Sequence, residues 1–275
     1  MLSERDVIVL TFLNGRLFFC PFSHKLLFYQ KEFPLYDKQL SKLCHWLQKE
    51  IDRNIKVIDV GANIGDTVRN IGNKRAYYLC IEGDHSFSKF VRPNLRGYDF
   101  DIEEVFLGDK KSSSTYCFES SNGTGHLSKT NSLDNGISLN TLDDLLETKY
   151  SNKVFDLIKI DTDGFDFKIL RGAQNCLQKQ HPLVFFEWDR QYCNDQGEAP
   201  LSIFSFLNEN GYSECVLFDN YGNVFGKAKT GDVKKLEAYI VNTRIEGKPY
   251  YYDVLAIPDA WDVDVNQLYG LFEMN

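Results

Sequence analysis

The segment KVIDVGANIGDT at 56–67 limits what this chain can fold into more than any other. Its apolar opening reads as a buried strand, and Gly61 and Gly65 bracket Asn63 before a helix begins near Asp66. Glycine reaches positive φ and lets ligand atoms approach the main chain. Such a turn at the carboxyl edge of a parallel sheet can therefore wrap a cofactor. The next strand, YYLCIEGD, ends in Glu82. That is about 20 residues on, the spacing at which an acid meets ribose hydroxyls in nucleoside-binding α/β folds. The turn has no third glycine and no Gly-Lys-Ser/Thr, so it is poorly suited to a pyrophosphate. Asp59 and Asn63 suit instead the amino-acid portion of a cofactor, where a carboxylate can receive an ammonium.

The chain around this segment keeps the same rhythm. Apolar runs at 56–60, 77–81, 102–107, 155–160 and 183–188 alternate with helical stretches, the order that builds a parallel sheet covered by helices on both faces. The 275 residues suffice for one large α/β domain with additions. VIVLTFL and RLFFCPF flank Asn14-Gly15 as a β-hairpin would, and 37–51 places Leu40, Leu43, Cys44 and Leu47 at helical spacing. We therefore divide the chain into a hairpin and helix extension at 1–52, a sheet domain at 53–260 and a tail at 261–275. The Ser-, Asn- and Gly-rich interval 110–140 reads as an irregular excursion with one strand at 114–119, and long loops of this kind are often functional. YYYDVLAIP near the end reads as an antiparallel edge strand.

With 31 Lys and Arg against 39 Asp and Glu, a formal charge of −8, the chain is a poor match for a nucleic-acid backbone. A small-molecule partner fits better. The seven cysteines are dispersed, with no C-x-x-C pair. Neither a disulfide framework nor a zinc site is signalled, and a reducing cytoplasm is the expected setting. No apolar run approaches the ~20 residues that span a bilayer, so any membrane association would be peripheral.

Four segments, VIDVGANIGDT, YLCIEGD, LNTLDDLL and DLIKIDTDGFDFKILRGA with the following PLVFFEWD, together resemble the FkbM-type methyltransferases. These are a branch of the Rossmann-like, class I, S-adenosylmethionine-dependent enzymes. One departure is Asp163, where the family more often carries a glutamate before the glycine. The resemblance implies S-adenosylmethionine as cofactor and O-methylation of a hydroxyl on a sugar, glycan or related natural product, as in polysaccharide biosynthesis. By position it implies that Asp59, Gly61, Asn63, Gly65 and Thr67 line the methionine part, Glu82 the ribose and Asp109 the adenine side.

The acidic segment IKIDTDGFD supplies the candidates for chemistry. An alcohol is a weak nucleophile, so methyl transfer to it calls for a base, in-line placement or a cation that lowers its pKa. Asp161, at a strand end, is the first choice for the base. Asp163 stands close behind, with a role as helix cap as the other reading. Asp161, Asp163 and Glu187 could converge from neighbouring strand ends on Mg²⁺ or another divalent cation. Glu187 could bind acceptor hydroxyls while Trp188 stacks on a sugar ring, or Trp188 could simply be core. His126, in the excursion, could overhang the site as a proton-transfer group. Two other functions share the strand, loop and acid. A nicotinamide-dependent oxidoreductase would display a third glycine and a Tyr-x-x-x-Lys or similar pair, and a non-catalytic module would bind a glycan or a protein.

Overall fold

The computed structural model describes residues 8–13, 15–35, 37–121, 123–129 and 136–273. Asn14 of the expected hairpin turn and residues 130–135 of the Ser/Asn/Gly-rich interval lie outside them. The strands are β1 (Ile8–Leu13), β2 (Arg16–Pro21), β3 (Lys56–Val60), β4 (Tyr77–Ile81), β5 (Asp99–Glu103), β6 (Phe106–Leu107), β7 (Ser112–Ser121), β8 (Thr124–Lys129), β9 (Ile137–Asn140), β10 (Leu157–Ile160), β11 (Leu183–Trp188), β12 (Glu214–Asp219), β13 (Val224–Lys229) and β14 (Tyr252–Ile257). Three helices matter for the site: α1 (Leu26–Glu32), α2 (Lys38–Glu50) and α3 (Asp66–Ile71).

Eight strands form one sheet in the order β13-β12-β14-β11-β10-β3-β4-β5. From β5 to β11 the pairings are parallel, and β14, β12 and β13 add on antiparallel. Side-chain alternation divides the strand residues between two cores. Ile58, Val60, Leu79, Ile81, Ile158 and Ile160 join the cluster that takes in Leu142, Leu170 and Phe204 from helices on one face. Val57, Tyr78, Cys80 and Leu157 join the cluster with Leu40 and Leu43 of α2, Val68 of α3 and Leu268 of the C-terminal helix on the other. Because both faces are covered, the central strands are apolar at nearly every position, which is why the sequence shows them as short unbroken runs. This is the Rossmann-like α/β architecture that the sequence predicts.

Three readings of elements change. YDVLAI is not an edge strand: β14 lies between β11 and β12, and its apolar run is buried on both faces. The expected strand at 102–107 divides into β5 in the main sheet and β6 in a separate sheet. The described part of the excursion at 110–140 holds more than the one expected strand, since its β7, β8 and β9 pair with β6 into a four-stranded sheet. Its strands are rich in Ser, Thr and Gly and only partly buried, so the alternation that marks a strand is weak there.

The hairpin β1–β2 is fastened to the domain through Asn94. The Asn94 Oδ1 accepts the Phe19 N–H at 2.7 Å, and its Nδ2 donates to the carbonyls of Phe19 and Ile64 at 2.9 and 2.8 Å. Phe18, Leu26, Ile64 and Phe87 pack beneath it. The hairpin thereby carries α1 over the carboxyl edge of the main sheet.

Candidate active site

The glycine turn is held in place from below. Gly61 has φ +74°, and a Cβ there would lie 1.9 Å from the Asp161 carbonyl oxygen, so only glycine lets the turn lie against the end of β10. Gly65, at φ +84°, opens α3 in the left-handed region. Asn63, also left-handed at φ +50°, is fully engaged. Its N–H donates to Glu82 Oε2 at 2.9 Å, its Nδ2 donates to the Gly123 carbonyl at 2.8 Å, and its Oδ1 meets His24 Nε2 at 3.0 Å. The Leu26 N–H donates to His24 Nδ1 at 3.1 Å. That bond assigns the proton to Nε2, which donates to Asn63, in a neutral imidazole. Burial pushes the His24 pKa down and keeps it neutral. One asparagine thus joins the glycine turn, the acid of β4, the β7–β8 turn and the N-terminal extension.

Beneath the turn lies Lys159, buried among the strands. Its ammonium stands 3.2 Å from Asp59 and 3.5 Å from Asp161, and it donates to the Gly61 carbonyl at 3.3 Å. Burial works against this charge, but Asp59, Asp161, Asp37 and Asp66 outweigh it and hold the ammonium above the ordinary lysine range. Asp59 is fully buried; burial pushes its carboxyl up and Lys159 pulls it down.

Two cavities meet at this turn. A smaller one of about 80 Å³ is walled by Phe87, Phe106, Phe118 and Leu127 and floored by Glu82. Glu82 is 9% exposed, and the N–H groups of Asn63 and Asp84 fix its carboxyl at 2.9 and 2.8 Å. Burial raises its pKa to about 7. The larger cavity, about 540 Å³, runs across the ends of β10, β11 and β14 and is roofed by α1. Gly61, Asn63, Asp161 and Asp163 line both.

Asp161 projects into the junction with its side chain 46% exposed. Asp163 is left-handed at φ +49° and accepts the Gly125 N–H at 3.0 Å. It does not cap the helix that follows, whose first flanking residue is Phe165 and which has no side-chain cap. Burial and then Asp161 push its pKa to about 6. Asp166 ties the segment to β11 by accepting from Thr162 Oγ1 at 2.9 Å and from the Glu187 N–H at 3.3 Å. Its pKa is raised to about 7 by burial first and Asp161 second. Glu187 and Thr67 line the larger cavity.

Several expected site residues lie elsewhere. Asp59 is sealed under the turn by Lys159, and Gly65 shapes the turn; neither lines a cavity. Asp109 is exposed beyond the smaller cavity, where Phe106 takes the wall position expected of it. His126 sits on β8 opposite Glu119 and lines neither cavity, because the excursion is a sheet and not an overhanging loop. Trp188 is fully buried against Phe204 and Tyr252, with its indole N–H donated to the Pro200 carbonyl at 2.7 Å. It is core and has no face to offer a sugar. Among the described residues no group of three or more His, Cys, Asp or Glu is arranged to hold a metal ion, so Asp161, Asp163 and Glu187 do not form the expected divalent site. No helix among the described residues is long and apolar enough to cross a membrane.

Sequence reasoning missed Lys159 and His24. A lysine inside the apolar run LIKI was the available signal for the first, since a charge in a strand covered on both faces must be paired. Nothing local marks His24, whose partner is 39 residues away.

Comparison with known proteins bears on this arrangement. A family model described as "Methyltransferase FkbM domain" matches residues 59–214, more than half of the chain. Among solved structures, similarity is found to a methyltransferase FkbM from Methylobacillus flagellatus KT, at 17% identity and a TM-score of 0.39 over 55% of this chain and 37% of that one. A precorrin-6y C5,15-methyltransferase from Geobacter metallireducens GS-15 matches at 13% identity and a TM-score of 0.41, covering 80% and 85%. The plantazolicin methyltransferase BamL, solved with SAH and a triazolic desmethylPZN analog, matches at 10% identity and a TM-score of 0.47, covering 85% and 89%. No curated protein matches.

Proposed function

Because this chain belongs to the FkbM methyltransferase family, we propose that it transfers a methyl group from S-adenosylmethionine to a hydroxyl of a sugar, glycan or related natural product. The observation that carries this reading is the meeting of the two cavities at Asp161. The lining of the smaller cavity has the chemistry that holds a nucleoside: apolar rings wall it, and the Glu82 carboxyl, fixed by two N–H groups, keeps lone pairs for a pair of ribose hydroxyls. Gly61 and Thr67 leave room on the turn side for the cofactor's amino-acid portion. When bound, the cofactor supplies an electrophilic methyl on a sulfonium.

The chain's own residues do the rest. Asp161 stands at the junction and takes the proton that the acceptor hydroxyl releases as its oxygen accepts the methyl. Lys159, 3.5 Å away, fixes the orientation of that carboxyl. Glu187 and Asp163 line the acceptor side and accept hydrogen bonds from further hydroxyls, holding the acceptor for in-line approach.

Titration calorimetry with S-adenosylmethionine, S-adenosylhomocysteine and NAD tests the cofactor. Heat is expected from the first two and none from NAD, and the opposite pattern indicates an oxidoreductase. Labelled methyl transfer to a panel of mono- and oligosaccharides tests the base. Asp161→Asn is expected to lower turnover by about 10²–10⁴-fold with cofactor affinity retained. Near-normal turnover would remove Asp161 from the reaction.

A further inference from the structure

We propose that the acceptor carries an ammonium as well as its methylated hydroxyl, and that the ammonium is seated between Glu187, Asp253 and an aromatic wall from the N-terminal extension. The inference rests on the reading of the larger cavity as the acceptor site and names the class of molecule that fills it: an amino sugar or another amino alcohol.

The geometry points there first. Glu187 on β11 and Asp253 on β14 are direct cross-strand partners, and both line the larger cavity at the carboxyl edge of the sheet. Like charges placed directly opposite each other oppose strand pairing, and this pair has little to relieve it. Glu187 takes no hydrogen bond and no ion pair from its carboxyl among the described residues. Asp253 has one amide, Gln39 Nε2, at 3.4 Å. Of the three cations that line the cavity, Lys159 is committed to Asp59 and Asp161 and Arg244 to Asp189, while Lys25 is exposed just before α1.

Above the pair stands an aromatic wall. The rings of Tyr29 and Phe33 are 5.9 Å apart, those of Phe33 and Tyr221 are 5.2 Å apart, and all three residues line the cavity together with Tyr251. A cavity lined by both carboxylates and aromatic rings is the environment that attracts an ammonium and gives a neutral hydroxyl compound little extra. Burial and the neighbouring Asp161 push the carboxyls of both Glu187 and Asp253 well above the usual range, the direction expected of carboxyls set together without a cation, and a bound ammonium would draw them back toward the charged form.

On the reading above, the nucleoside end of the cofactor would be held on the other side of β10, by residues of the β3 and β4 ends. Filling that end leaves the pair free for the acceptor. The test therefore uses protein saturated with S-adenosylhomocysteine, whose own ammonium is already placed.

Saturation-transfer NMR compares three matched probes: glucosamine with glucose, tyramine with 4-ethylphenol, and ethanolamine with ethylene glycol. At least one cationic probe is expected to bind about tenfold or more tightly than its neutral partner. Glu187→Gln and Asp253→Asn, which keep the side-chain shape, are each expected to remove most of that preference. Binding of neutral probes as well as charged ones, binding by no cationic probe, or a preference that survives both substitutions would overturn the proposal while leaving the cofactor reading intact. Failure of S-adenosylhomocysteine to bind would overturn both.

Discussion

Along the carboxyl edge of the main sheet, the β3–β4 side and the β11–β14 side treat their carboxylates in opposite ways. On the first, Asp59 has Lys159 at 3.2 Å, Glu82 has two N–H donors, and every polar group of the Asn63 side chain is used. On the second, among the described residues, Glu187 has no donor to its carboxyl and Asp253 has a single long one, although the two face each other across adjacent strands. A site that serves one invariant cofactor can be completed in advance by the protein. A site whose polar groups are left open depends on its ligand to complete them.

Removing the cation from the finished side should produce the largest effect. Lys159→Met leaves Asp59 buried without its partner, and urea unfolding is expected to show a loss of about 3–5 kcal/mol. The double variant Lys159→Met/Asp59→Leu should recover most of it, because a buried ion pair replaced by apolar groups of similar size is close to neutral. A loss below about 1 kcal/mol in the single variant would show that the finished side does not depend on this pair.

The buried carboxyls around the larger cavity and the glycine turn should show themselves in a pH dependence. Asp37 and Asp166 are raised to about 7 and Asp66 and Asp163 to about 6, burial being the first cause in each. Three of them line the larger cavity. On the finished side Glu82 is raised to about 7. These groups keep their protons in the folded chain to a higher pH than in the unfolded chain, where carboxyls titrate near about 4. The folded chain therefore binds more protons between about pH 4 and 7, and stability falls as pH rises through that window. Without ligand, the melting temperature is expected to be lower at pH 8 than at pH 5.5, by roughly 2–4 °C for each kcal/mol lost. A melting temperature that rises over this interval would contradict the raised values.

The finished side was legible in the sequence and the open side much less so. An apolar strand, two glycines and an acid one strand later are local signals, and they fall where β3, the turn and β4 lie. Asp161 and Glu187 were visible because they end strands. Asp253 was not, because YDVLAI reads as an edge strand, and only its insertion between β11 and β12 sets that aspartate opposite Glu187. The aromatic wall was also hidden: Tyr29 and Phe33 belong to the N-terminal extension, and tertiary packing alone brings them over the cavity. Trp188 went the other way, since its sequence position beside Glu187 suggested a binding face and alternation along β11 turned it into the core.

The division between the two sides is tested most directly by titrating S-adenosylhomocysteine into three proteins: the natural chain, Glu82→Ala and Glu187→Gln. Loss of the carboxylate proposed to hold the ribose is expected to weaken binding by about 10–100-fold in Glu82→Ala, while Glu187→Gln stays within about twofold of the natural chain. Unchanged affinity in Glu82→Ala, or a loss as large in Glu187→Gln, would contradict the assignment of the nucleoside to β3–β4 and of the acceptor to β11–β14.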